Sequence, residues 1–216
     1  MNNILKATRL DFSLVRPYNK SIAFAILFPI VFSVMNRSLL NGVSFAMCVI
    51  GMTAGYTFSV SEKNDMERLY NILPVSKKHM VIGRYLYTCM MGLFALLISL
   101  IVHPIVLYAL GETVLPLDII VAAMTGIVMF SLYTVFLLPG YYKYGAIKGR
   151  IFMFVPVVGY LAVLMFVSKI DLESNSVFTT ILNNPIVLLA VVLLIFIIAF
   201  LLSIIVSIRI LQNKEV

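Results

Sequence analysis

Apolar runs long enough to cross a bilayer recur along this chain, and one long polar run interrupts them. Between Glu62 and Arg84 the sequence reads EKNDMERLYNILPVSKKHMVIGR. Glu62, Lys63, Asp65, Glu67, Arg68, Lys77, Lys78 and Arg84 all fall inside it. A spanning helix needs about 20 mostly apolar residues. Backbone in hydrocarbon must find its hydrogen bonds within the protein, which helices do locally. The fold class that meets both demands is an all-α integral membrane protein, with the polar run as a loop on one side. Composition agrees. Hydrophobic residues make up 62% and charged residues 12%, against about 45–50% and about 25% in soluble domains. Mean hydropathy is +1.07.

Six spans are predicted: Ser21–Met35, Val43–Val60, Tyr85–Leu110, Leu117–Leu138, Ile151–Val167 and Pro185–Ile208. They form one transmembrane domain over residues 19–216, preceded by an N-terminal helix over residues 1–18. In that helix Lys6, Arg9, Ser13 and Arg16 share one arc, and Ile4, Leu5, Ala7, Phe12 and Val15 the other. Such a helix lies in the interface rather than across the membrane. Asp11 interrupts the apolar arc, and a frayed basic tail is the alternative. Residues 1–20 lack the apolar core and small-residue site of a cleavable signal.

The net charge of +7 does not point to nucleic acid, because the basic residues flank apolar runs instead of clustering with aromatics. Of the sixteen Lys and Arg, all but Arg37 and Lys169 fall on one side when the N-terminus is inside. That asymmetry places both termini and the loop 62–84 in the cytoplasm. The basic stretch Gly140–Arg150 is then an inner turn. The outer segment 169–184 reads either as a short half-sunk helix or as a plain loop.

Catalytic and metal chemistry leave no motif. GxxxxGK[ST], HExxH and GxSxG are absent, so this chain is not expected to bind ATP, to hold a metal or to act as an enzyme. Cys48 and Cys89 sit in apolar runs and read as buried free thiols. His103, before Pro104, is the ionisable residue placed inside a span, where such groups are functional suspects. Packing or a local hydrogen bond is the plainer role for it. Gly51 and Gly55 form a GxxxG that lets helices approach closely. The twelve methionines serve as adaptable packing or as a forgiving surface for apolar substrates.

The loop carries more information. As a helix from Asp65 to Leu73 it puts Met66, Leu69, Tyr70, Ile72 and Leu73 on one arc, and Glu67, Arg68 and Asn71 on the other. Asn64 and Glu67 have capping spacing. Pro74 ends the helix, and Ser76 can cap the next one. An amphipathic helix here either docks on a partner or lies flat on lipid.

From residue 58 the sequence reads FSVSEKNDMERLYNILPVSKKHMVIGRYL. This stretch resembles the permease subunits of ABC-2 type ABC transporters, and the likeness extends over essentially the whole chain. It is carried by Glu62, Lys63, Leu69, Leu73, Pro74, Val75, Ser76, Lys77, Gly83, Arg84 and Tyr85. Many members have leucines where this chain has Tyr70 and Asn71. The resemblance implies a coupling helix gripped by a separate ATPase through Asp65, Met66, Glu67, Arg68, Leu69, Tyr70, Leu73 and Pro74. It makes residues 1–18 a connecting helix that also rests on the ATPase, through Lys6 and Arg9. It implies two permeases with two ATPases in a bacterial plasma membrane, with ATP and magnesium held by the ATPase. Spans rich in Ile, Leu, Val, Phe and Met favour an amphipathic or hydrophobic substrate, and the resemblance favours exported peptides. An intramembrane enzyme and a non-transporting, peptide-binding immunity protein are the other classes.

Overall fold

A computed structural model of the chain describes residues 3–66, 76–159 and 185–214, the side chains of residues 185–193 excepted. The described residues contain helices and connecting turns, with no strand. Helix α1 is Asn3–Val15 and leads through a 3-10 turn, Arg16–Tyr18, into α2, Asn19–Leu27. Helix α3, Pro29–Asn36, follows without a break, because Phe28 itself has helical angles and donates to the Phe24 carbonyl at 2.8 Å. Pro29 lies within this run, where it lacks the N–H that would bond the carbonyl four residues back. Left-handed Arg37 ends the run.

Ser38 caps α4, Leu39–Thr53, by accepting from the Asn41 N–H at 3.4 Å. Ala54 joins α4 to α5, Gly55–Lys63. Ser76 caps α6, Lys77–Ala109, accepting from the His79 N–H, as its position after Pro74 predicts. Helix α7 is Pro116–Lys148, then a 3-10 segment, Gly149–Phe154, runs on into helix to residue 159. Helix α8 is Pro185–Asn213.

Five stretches of the described residues are long and apolar enough to cross a membrane: Asn3–Asn36, Leu39–Lys63, Lys77–Ala109, Pro116–Gly159 and Leu194–Asn213. The expected first span is therefore continuous with the N-terminal helix. The expected fourth span and the start of the fifth share one run. The rest of span five, residues 160–167, and the outer segment 169–184 lie outside the described residues.

The chain turns within the expected Gly140–Arg150 stretch, but later than Gly140: helical geometry passes Leu138, and after Gly145 the chain folds back so that Gly149 comes against Gly140 and Tyr141. Pro139 removes the N–H that would bond the Val135 carbonyl four residues back. The Ser203 hydroxyl of α8 donates to that carbonyl at 2.8 Å instead. A neighbouring helix thus satisfies what the proline leaves open, and the helix passes through. The real break is at Gly145, with φ 77° and ψ −178°.

Helix α4 packs along α7 and α6, and α8 along α7. One lobe of the core joins Val43, Met47, Ile50, Leu96 and Phe130. The other joins Phe58, Val81, Tyr85, Leu137, Tyr141 and Tyr142, at the end of the bundle where α5 stops and α6 starts. The Gly51 and Gly55 pair faces α7 in the same chain. A Cβ on Gly51 would sit 3.0 Å from the Tyr133 Cβ, and one on Gly55 would meet the Tyr141 ring.

Candidate functional site

Successive residues of a helix point about 100° apart, so three in a row can serve three neighbours. Gly83, Arg84 and Tyr85 in α6 do this. Gly83 lets α1 come close: a Cβ there would lie 2.7 Å from the Ala7 Cβ and 3.1 Å from the Ile4 carbonyl. The Thr8 hydroxyl shares its proton between the carbonyls of Ile4 at 3.0 Å and Gly83 at 3.1 Å.

Arg84 turns between α1, α5 and α7. Its Nη2 and Nε donate to the two Asp11 carboxylate oxygens, at 3.2 and 3.4 Å. Nη2 also donates to the Ser61 hydroxyl at 3.3 Å, and that hydroxyl donates onward to the Thr57 carbonyl at 2.7 Å. The guanidinium lies over the Phe58 ring, 4.4 Å from its centre, and 5.8 Å from that of Tyr142. Side-chain exposure is 9% for Arg84 and 4% for Asp11. Two charges this buried lose most of their hydration. Forked geometry and aromatic faces are what make such a pair tolerable.

Tyr85 faces α8. Its hydroxyl is 2.7 Å from the Ser203 hydroxyl and 2.9 Å from that of Ser207. Ser203 gives its one proton to Val135, so Tyr85 donates to Ser203 and Ser207 donates to Tyr85. The chain of donors ends on the carbonyl that Pro139 exposes.

Glu62, one turn past Phe58 on α5, reaches the bend in α7. Its Oε1 accepts from the Ala146 N–H at 2.6 Å. A Cβ on Gly145 would collide with that same oxygen. Ser61, Glu62, Arg84, Tyr142, Gly145 and Lys214 line a cavity of about 60 Å³, room for a few waters. The site joins five helices by hydrogen bonds and ion pairing, and among the described residues it aligns no nucleophile with a base.

Lys6 and Arg9 are exposed on α1, away from the buried arc of Thr8, Asp11 and Val15. That arc corrects the expected one: Asp11 belongs to the packed face, while Leu5 and Phe12 are exposed. Asp65 is exposed and left-handed, with φ 48°, and Met66 is half-buried. Glu67, Arg68, Leu69, Tyr70, Leu73 and Pro74 lie outside the described residues. His103 is buried in α6, its Nδ1 donating to the Ser99 carbonyl at 2.9 Å. Its Nε2 has no hydrogen-bond partner among the described residues, and the ring packs against Gly42. Among the described residues no hydrogen bond links His103 to the Arg84 cluster. Among the described residues no group of three His, Cys, Asp or Glu could hold a metal.

The sequence marks Asp11 only as an interruption of an apolar arc, and it marks Ser61 and Gly145 not at all. The signal for Asp11 was its register: residues 4, 8, 11 and 15 form one stripe. In α6, Val81, Arg84 and Thr88 form another. An acid and a base each set in a helix's packing stripe call for each other.

A family model described as ABC-2 family transporter protein matches residues 8–212. No curated protein and no solved structure matches the chain. Because the match runs from within α1 through the Arg84 cluster into α8, the chain belongs to the ABC-2 transporter family, as a membrane permease of an ABC transporter.

Proposed function

We propose that the chain is the permease of an exporter in a bacterial plasma membrane, driven by a separate ATPase that grips residues 65–74. The observation that carries this reading is the anchoring of both ends of that segment. Ser61 and Glu62, before it, and Arg84, after it, are tied to α1, α7 and each other. A push on the segment therefore reaches several helices at once. Such a linked set can pass between two packings when a partner binds one of them better. Both termini are cytoplasmic, as the basic residues favour. Lys6 and Arg9 are the basic residues on the exposed side of α1, open to a partner.

Two permeases and two ATPases make the working unit, and the ATPase holds ATP and magnesium. The substrate is amphipathic or hydrophobic, with peptides favoured. An open groove of about 600 Å³ between α1, α2 and α6, lined by Phe12, Ile22, Ile26, Tyr87, Met90 and Phe94, supports apolar entry from the side.

The test is co-expression with candidate ABC ATPases, then pull-down and ATP hydrolysis in nanodiscs. Wild type is expected to hold the ATPase, while Leu69→Asp and Tyr70→Asp release it or uncouple it. Equal binding and coupling by well-folded variants would remove the docking role. Peptide binding without any ATPase would favour the immunity reading.

A further inference from the structure

We propose that Glu62 is a positioning residue that ties the docking segment to the bend of α7, so that movement of the segment turns the chain beyond Gly145. This rests on the docking role proposed above. Three observations point the same way. First, the Gly145 backbone, φ 77° and ψ −178°, takes the following peptide out of helical geometry. The Ala146 N–H then needs an acceptor from elsewhere, and Glu62 Oε1 supplies it at 2.6 Å. Second, Gly145 is required twice over. L side chains rarely adopt its φ, and a Cβ would strike the same Glu62 oxygen. Bend and carboxylate are fitted to each other. Third, the two sides of the bend have different supports.

Before the bend, Phe58 stacks on Tyr141 at 5.1 Å and meets Tyr142 edge-on at 4.9 Å. These ring contacts hold α5 against α7 one turn above Glu62. Beyond the bend, Phe152 stacks back on Tyr144 of the near side at 5.6 Å and fills the space over Gly140. The far side is thus packed on α7 itself, while Glu62 reaches it from α5. Few-residue hinges that absorb a φ/ψ change are where packed helices change relation. Glu62 is also the second-last residue of α5, three positions before the proposed docking segment starts at Asp65. A displacement of the segment arrives at Glu62 first.

The role needs an acceptor oxygen, and the charge only strengthens it. Glutamine keeps the oxygen and alanine removes it. This separates positioning from the other use of an exposed acid, as a rim charge on the ATPase contact, which glutamine would also abolish.

Two measurements on the full chain in nanodiscs test it. The first is amide exchange at Ala146. Glu62→Ala is expected to speed it about ten-fold or more, and Glu62→Gln by no more than about three-fold. Equal exchange in all three proteins would overturn the contact. The second uses nitroxides at Ile147 and Tyr108, with Cys48 and Cys89 replaced, on the complex with the ATPase captured above. Adding ATP and vanadate is expected to change the distance in wild type and Glu62→Gln. In Glu62→Ala the change is expected to be lost while the ATPase stays bound and hydrolyses ATP. A full change in Glu62→Ala would overturn the positioning role and leave docking standing. Loss in Glu62→Gln as well would make Glu62 a charge contact instead. If Leu69→Asp has no effect on binding or coupling, docking fails, and the exchange result still decides whether Glu62 holds the bend.

Discussion

The Arg84 guanidinium forks onto the Asp11 carboxylate, 3.2 and 3.4 Å away, across 73 residues of sequence and with both side chains almost wholly out of solvent. Removing one member leaves the other as a buried, unpaired charge. Asp11→Ala and Arg84→Ala are each expected to cost about 3–5 kcal/mol. An apolar pair, Asp11→Leu with Arg84→Met, should cost less than their sum, since no charge is stranded. Arg84→Lys should not restore the loss, because an ammonium lacks both the fork and the flat face over Phe58. Reversible unfolding in mixed micelles measures all four. Additive losses in the double variant would show that the two residues act separately.

The ion pair at the other end of the bundle, Arg37 to Glu112 at 3.1 Å, makes the contrast. Its side chains are 70% and 36% exposed. Glu112→Gln is expected to change stability by no more than about 1 kcal/mol. The effect should fade between about 0.15 and about 1 M salt, as the screening length drops from about 8 to about 3 Å. A loss as large as that for Asp11→Ala would mean that burial does not rank these pairs.

What could be read from the chain alone follows from which forces are local. Long apolar runs become helices because lipid leaves the backbone no other solution. Ser76 caps α6 because the cap lies within one turn of what it caps. Within Gly140 to Arg150 the chain does turn, at Gly145, but where the turn begins depends on a distant partner. Pro139, Gly140 and three basic residues look like a helix end. The hydroxyl that keeps α7 going belongs to Ser203, 68 residues away. Asp11 looked like a flaw in an apolar arc because its partner is in another helix. Arg84 looked like one more loop charge, since its burial depends on α1, α5 and α7 all arriving together. The motif Gly83-Arg84-Tyr85 could be recognised by resemblance, but its division of labour among neighbours needed the fold.

Gly83 constrains the same crossing by a different mechanism. A Cβ there meets the Ala7 Cβ at 2.7 Å and the backbone of Ile4 and Thr8 at 3.1 and 3.2 Å, so α1 itself must move. Gly83→Ala is expected to push α1 outward by a few tenths of an ångström, and Gly83→Val to detach it. Overpacking of this kind costs about 1–3 kcal/mol. Trypsin cleavage at Lys6 and Arg9, with amide exchange along α1, reports detachment. Protection in Gly83→Val equal to wild type would show that α1 is held by something other than this crossing.

The hydroxyl relay on Val135 makes the last prediction, and the sharpest. Tyr85→Phe removes two links, to Ser203 and from Ser207, and leaves Ser203 on its carbonyl. At about 0.6 kcal/mol for an average polar contact between membrane helices, it should cost about 1 kcal/mol. Ser203→Ala also removes two, the donor to Val135 and the acceptor of Tyr85, and should cost at least as much, since it leaves the Val135 carbonyl bare. Restoring the backbone donor with Pro139→Ala gives Val135 its own partner within α7. Ser203→Ala should then lose a good part of its effect in that background. The difference between the two backgrounds is a coupling energy, expected at about 0.5 kcal/mol or more for residues sharing a partner. A coupling of zero would mean that Ser203 does not stand in for the N–H that Pro139 lacks. The passage of α7 through its proline would then need another cause.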